Sequence, residues 1–167
     1  MQIDYLVNHA HLIPELAQLH FNEWGHYRPN DTVDARAERL RACCGKNALP
    51  TVVVALSGAE LCGSAMLVAN DMDTRPDLSP WLAGVYVKVE RRNKGIGSAL
   101  VTRIVTEAAT LGVPRLYLCT DVLEALYARL GWSAVERAPY KGISVTIMTF
   151  DLLCSSSFKP TPLCDAA

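Results

Sequence analysis

The chain contains no Cys-x-x-Cys pair, and its six cysteines (Cys43, Cys44, Cys62, Cys119, Cys154 and Cys164) are not followed by histidines at zinc-ligand spacing. A zinc-finger reading is therefore set aside and no metal is expected. The thiols read as buried or half-buried small hydrophobes. No apolar run approaches the ~18 residues of a membrane-spanning helix, and no basic segment followed by an apolar stretch opens the sequence. These absences lead to the expectation of a cytoplasmic protein with reduced thiols and no membrane partner. Positive charge is not in excess either: the formal net charge is -1. General nucleic-acid binding needs a concentrated basic surface, so no nucleic-acid partner is expected. Internal repeats are also missing.

What is present suits a folded domain. The chain has 167 residues, half of them hydrophobic and a fifth charged, enough to bury a core within one domain. Residues 2–7 read as a strand. From His11 the apolar residues Ile13, Leu16, Ala17, His20 and Trp24 recur at helical spacing, with Pro14 tolerated in the first turn. Asp31 or Thr32 is placed to cap a second helix that buries Val33, Ala37, Leu40 and Cys44. Residues 51–56 and 61–69 form a hairpin around Ser57-Gly58. The aperiodic stretch 70–80 follows and is acidic. Residues 81–89 make a further strand. Leu100, Val101, Ile104, Val105, Ala108 and Leu111 then trace the widest apolar helical stripe in the chain. A short strand at 116–119, a short helix at 122–130 and a final hairpin, 132–137 with 143–150, complete the order. Strands interleaved with helices in this way indicate an α/β (α+β) mixed sheet with helices on its faces. Residues 153–167 are expected to be a poorly packed tail, which leaves 1–152 as one domain.

Chemistry concentrates where a strand turns into that strong helix. Arg92-Asn93-Lys94-Gly95-Ile96-Gly97-Ser98 combines cationic side chains with two glycines just before the helix begins. The first turn of a helix leaves amide N–H groups unpaired at its partly positive end, and glycine lets a ligand approach the backbone. Together these make a socket for phosphate or pyrophosphate. It is not a Walker A loop, because no Gly-Lys-Ser/Thr follows. It is not a dinucleotide fingerprint, because Leu100 stands where the third glycine belongs.

Arg92-x-x-Gly95-x-Gly97 resembles the Arg/Gln-x-x-Gly-x-Gly/Ala signature of the GNAT superfamily of N-acetyltransferases. Leu126-Tyr127-Ala128-Arg129-Leu130-Gly131-Trp132 resembles that family's Leu-Tyr-x-x-x-Gly-Phe/Trp segment. The order of elements around both motifs agrees, and the resemblance covers residues 1–152. It implies a GNAT-like mixed central sheet of about seven strands flanked by about four helices. It also implies acetyl-CoA as the acetyl donor. Carried over, the pyrophosphate rests on the backbone of Arg92, Asn93, Lys94, Gly95, Ile96, Gly97 and Ser98, while the pantetheine arm lies along Val85, Tyr86 and Val87. The reaction so implied is direct attack of a primary amine on the thioester. A bulge in the strand would free an amide to polarise the carbonyl, and Tyr127 matches the position of the family's proton donor. Tyr127 also shares a helical face with Leu123, Leu126 and Leu130, which is equally the pattern of a packing residue.

The sequence departs from the family pattern at two places. No carboxylate lies between Trp81 and Val89, so a general base on that strand is missing; Glu23 and His26 are the side-chain candidates, beside a water-mediated route. Thr120 stands where many relatives carry Asn; its hydroxyl is assigned to the cofactor side in place of part of that contact, and Thr120 or Asp121 is also placed to cap the short helix. On the acceptor side Trp24, Tyr27 and Trp81 are candidate pocket walls, and the acidic stretch 70–80 is expected either to attract a cation or to be simply solvated. The acceptor is a small-molecule or peptide amine, and a homodimer is compatible with the reading. The competing function is a non-catalytic acyl-CoA sensor on the same fold.

Overall fold

The computed structural model describes residues 1–153. The expected tail lies, from residue 154 onward, outside the described residues, as do Cys154 and Cys164. The elements are β1 (Gln2–Tyr5), α1 (Ile13–Trp24), α2 (Val33–Ala42), β2 (Thr51–Ser57), β3 (Glu60–Val68), β4 (Trp81–Val87), α3 (Ile96–Thr110), β5 (Arg115–Thr120), α4 (Glu124–Arg129), β6 (Ser133–Tyr140) and β7 (Ile143–Asp151). The strands form one seven-stranded sheet in the order β1-β2-β3-β4-β5-β7-β6. All neighbours are antiparallel except β4 and β5, which run parallel. This is the mixed sheet with four α-helices that the sequence predicts.

Each face is covered by the helices whose apolar stripes fit it. Leu16 and Ala17 of α1 and Ala37 and Leu40 of α2 pack on Val52, Val54 and Leu56 of β2. On the other face, Leu100, Val101, Ile104 and Val105 of α3 pack on Val53, Ala55, Leu67 and Leu82. Leu100 and Ile104 are fully buried, each contributing roughly 1.5–3 kcal/mol by leaving water. Glu107 breaks the apolar stripe of α3 yet is buried; it accepts hydrogen bonds from the Tyr5 hydroxyl at 2.8 Å and from Arg103 Nε at 2.7 Å, tying α3 to β1. A buried carboxylate with two such donors is satisfied rather than stranded.

The boundaries differ from the sequence reading in two instructive places. Residues 6–12 form 3-10 turns, so α1 begins at Ile13 with Pro14 in its first turn. β6 runs through Pro139 and Tyr140, and only Lys141 and Gly142 turn the final hairpin; Pro139 is tolerated because β6 is the edge strand of the sheet. Thr32, of the two capping candidates, caps α2: its Oγ1 accepts from Ala35 N at 3.1 Å. Of the four described cysteines, Cys62 is buried and Cys43, Cys44 and Cys119 are half-buried, all as free thiols. Among the described residues no helix is long and apolar enough to cross a membrane.

Candidate active site

The sheet opens at its centre. β4 and β5 pair at one position, Trp81 opposite Tyr117, and then diverge. An extra residue in β4 contributes to this: from Ser64 to Met66 β3 advances two residues, while the matching span of β4, Tyr86 to Ala83, advances three. The bulge centres on Gly84, whose φ is +56°. A side chain there would be conformationally strained, and its Cβ would meet Met66 Sδ at 2.9 Å. A bulge takes one residue out of the ladder and re-aims those after it. Simple alternation would put Leu82, Gly84 and Tyr86 on one face. Instead Leu82, Val85 and Val87 pack on the α3 side, while the Tyr86 ring meets His20 and Trp24 beneath α1.

A buried polar chain pins the bulge. The Ser64 hydroxyl donates to Gly84 O at 3.2 Å, and His20 Nε2 lies 2.8 Å from Ser64 Oγ. A serine has one proton to give; spent on Gly84, it leaves His20 Nε2–H as the other donor. Burial pushes the His20 pKa down from 6.5 to about 3, so the ring is neutral at pH 7. The unfolded chain therefore takes up a proton below pH 6.5 that the folded chain refuses. Stability from this group is full above pH 6.5 and drains as pH falls toward 3. The loss reaches about 2 kcal/mol by pH 5. Urea unfolding at pH 7 and pH 5 is expected to show that slope, and His20→Gln to flatten it; an unchanged slope in the variant would remove His20 as its source.

A cavity of about 460 Å³ occupies the gap between the diverging strands. Five of the expected residues meet at it: Trp24, Tyr27, Val85, Thr120 and Tyr127. The Tyr127 ring packs edge-on against Trp132, 6.2 Å between centroids, so the packing reading holds for the ring. Its hydroxyl has no hydrogen-bond partner among the described residues, yet it is not a sealed orphan. Burial, with Cys119 nearby, pushes its pKa up to about 12, so the phenol keeps its proton across the neutral range. Thr120 Oγ1 accepts from Leu123 N at 3.0 Å and so starts the turn into α4.

The Arg92–Ser98 turn stands at the outer end of β4. Asn93 and Gly95 have φ of +60° and +78°, and a Cβ built on Gly95 meets nothing within 4 Å. The corner is open, not filled by the protein's own side chains. The first α-helical hydrogen bond of α3 runs from Ala99 N to Gly95 O, which leaves the preceding amides free for a ligand. The cationic side chains fold back on the rim: Arg92 Nε donates to Val87 O at 3.0 Å and Lys94 Nζ to Glu90 O at 3.2 Å. Amides left unpaired at a helix start beside an unfilled glycine corner are the donor set that a phosphate group needs.

The Arg92–Ser98 turn does not line this cavity, nor do Tyr86 and Val87, and three further candidates are not brought to it. Glu23, in the last turn of α1, points to the phosphate turn and pairs with Arg92 at 3.5 Å. His26 is exposed and lies against the Tyr27 ring, 4.0 Å between centroids. Trp81 is fully buried under Met72, Val145 and Ile147, and its indole donates to Leu78 O at 2.7 Å. It belongs to the closed end of the gap, where β4 and β5 still pair, and is no pocket wall. Tyr86 and Val87 also face away into packing.

The acidic stretch 70–80 divides: Asp73 and Asp77 are exposed, while Asp71 lines the cavity. Asp77 pairs with Arg75 at 3.0 Å, and Met72 is buried. Asp71 alone of its carboxylates reaches the cavity, where burial pushes its carboxyl above the usual range against the pull of Lys141 and Arg28. Cys119 lies 3.9 Å from it, its thiol pushed up to about 12 by burial and by that carboxylate. Asp71, Arg28, Arg36 and Arg39 are cavity residues that the sequence reading did not single out.

The sequence profile described as the acetyltransferase (GNAT) family matches residues 13–132. Similar solved structures include a phosphinothricin acetyltransferase from Sinorhizobium meliloti in complex with acetyl-CoA, 22% identical, with a TM-score of 0.74 over 96% of this chain and 92% of that one. An aminoglycoside 6'-acetyltransferase type Ii is 24% identical, with a TM-score of 0.71 over 91% of this chain and 97% of that one. A ribosomal-protein-alanine N-acetyltransferase from Brucella melitensis is 17% identical, with a TM-score of 0.71 over 90% and 99%. At these identities the likeness is one of fold. No curated protein matches the chain significantly.

Proposed function

The chain belongs to the acetyltransferase (GNAT) family, and from that membership we propose that it moves an acetyl group from acetyl-CoA to a primary amine by direct attack, within one domain over residues 1–152. The observation that carries this reading is the open gap between β4 and β5 with Tyr127 in its wall, β4 being the strand that leads into the unfilled glycine corner. Solved relatives held with coenzyme A or acetyl-CoA support the choice of donor.

Acetyl-CoA, when bound, supplies the activated acetyl group, which the amine takes as the C–S bond breaks. The free amides from Asn93 to Ser98 hold its pyrophosphate at the positive end of α3. The bulge at Gly84 takes a β4 amide out of the ladder, where it donates to the carbonyl oxygen as negative charge develops. Tyr127, protonated at neutral pH, delivers its proton to the departing sulfur. The amine must lose a proton to attack, and Asp71 is suited to take it: its carboxyl is held above the usual range and is therefore a better base than an exposed one. Tyr27 and Trp24 wall the acceptor end.

Thiol release from acetyl-CoA across a panel of amines tests the reading. Release that requires an amine is the expected result. Tight acetyl-CoA binding with silence across the panel would favour the non-catalytic sensor. Absence of acetyl-CoA binding would overturn both.

A further inference from the structure

The acceptor end of the cavity is lined by four cationic side chains, Arg28, Arg36, Arg39 and Lys141, against two carboxylates, Asp71 and Asp121. Two of the cations are held in place. Asp31, its side chain 1% exposed, accepts from Arg36 Nε at 2.6 Å and from Arg39 Nη2 at 2.6 Å. Arg36 and Arg39 stand one helical turn apart on α2, so this one carboxylate sets their spacing. It also offsets only one of their two charges, and each guanidinium keeps nitrogens that Asp31 does not use.

Arg28 adds a third charge. Among the described residues its side chain makes no hydrogen bond or ion pair, yet it lies near enough to Arg36 for their charges to disfavour each other. Two guanidiniums on one buried carboxylate, with a third beside Arg36, leave a net positive wall. In a partly enclosed cavity such a wall repels cations and attracts anions more strongly than it would in open water. Arg28 and Lys141 also act on the charge of Asp71, so a positive region and the carboxylates Asp71 and Asp121 lie within one small space. The volume, about 460 Å³, is that of a small-molecule site.

We propose that the acceptor is a zwitterion, a free α-amino acid, whose carboxylate is held by Arg28 and Arg39 and whose amino group faces Asp71 and Tyr127. This rests on the acetyl-transfer reading above and narrows it. An ammonium and a carboxylate joined through one carbon match a cavity that presents opposite charges at close range. A polyamine or an aminoglycoside would instead bring several positive charges against three arginines, an arrangement that specificity by charge disfavours.

Kinetics with the protein-forming amino acids, each as free acid and as methyl ester, with spermidine alongside, test the proposal. The best free acid is expected to exceed its own ester at least about 30-fold in kcat/KM, and spermidine to be poorer still. Arg28→Gln and Arg39→Gln, both at exposed positions, are expected to raise KM for that acid about 10-fold or more, with kcat and the KM for acetyl-CoA little changed. Equal use of acid and ester, or a preference for spermidine, overturns the inference while leaving acetyl transfer intact. If acetyl-CoA binds but no amine is turned over, calorimetry with CoA bound decides: an acid that binds no better than its ester overturns it as well. Failure to bind acetyl-CoA at all overturns the reading beneath it.

Discussion

Tyr127→Phe is expected to lower kcat by about 100-fold or more, within the range for loss of a positioned proton donor, while KM for acetyl-CoA changes by less than about 2-fold. The separation follows from how the side chain is held. Its ring is 6% exposed and packs against Trp132, and phenylalanine keeps all of that contact. Its hydroxyl has no partner among the described residues, so deleting it strands no other group and the melting temperature should hardly move. A variant that folds, binds acetyl-CoA and turns over normally would return Tyr127 to the packing role that its helical face also suggests. A variant that loses stability and activity together would point to the same conclusion.

Gly95→Asp is expected to weaken acetyl-CoA binding at least about 100-fold. Two effects combine. The φ of +78° costs a side-chain-bearing residue roughly 1–2 kcal/mol, and a carboxylate would stand in the space left for phosphate, its charge opposing that of the ligand. No atom of the protein obstructs it, since a Cβ there meets nothing within 4 Å; the injury falls on the ligand and not on the core. Gly95→Asn separates the terms. Asparagine tolerates the left-handed region, as Asn93 does at φ +60° in the same turn, and has the same shape without the charge. A loss of about 10-fold or less is expected for it by calorimetry. Equal losses in the two variants would make the effect one of backbone, and no loss in either would remove the phosphate cradle.

The open glycine turn before α3 is legible because its cause is local: glycines, cations and a helix start are neighbours in the chain. The same holds for the apolar stripe of α3 and for the cap at Thr32. The bulge in β4 was not legible, because it is a mismatch of count between two strands and neither strand carries it alone. Trp81 was read as a pocket wall since an aromatic at a strand start suits a wall and a core equally; its cover comes from Met72, Val145 and Ile147, remote in sequence. Glu23 ends the helix that borders the pocket and His26 follows it, but the last turn of α1 directs one to Arg92 and the 3-10 turn directs the other onto Tyr27. The arginines of α2 escaped notice because that helix was read by its buried side. A polar face does not announce which of its charges will converge with a residue from the preceding loop.

One residue pair, Trp81 with Tyr117, and the bond from Tyr117 N to Pro80 O join the halves of the sheet at the head of the gap. Beyond that point the facing edges of β4 and β5 share no ladder, while α3 keeps both halves of the sheet in one core. The backbone groups along those two edges are therefore not spent on each other, and whatever enters the gap can pair with main chain as an added strand would.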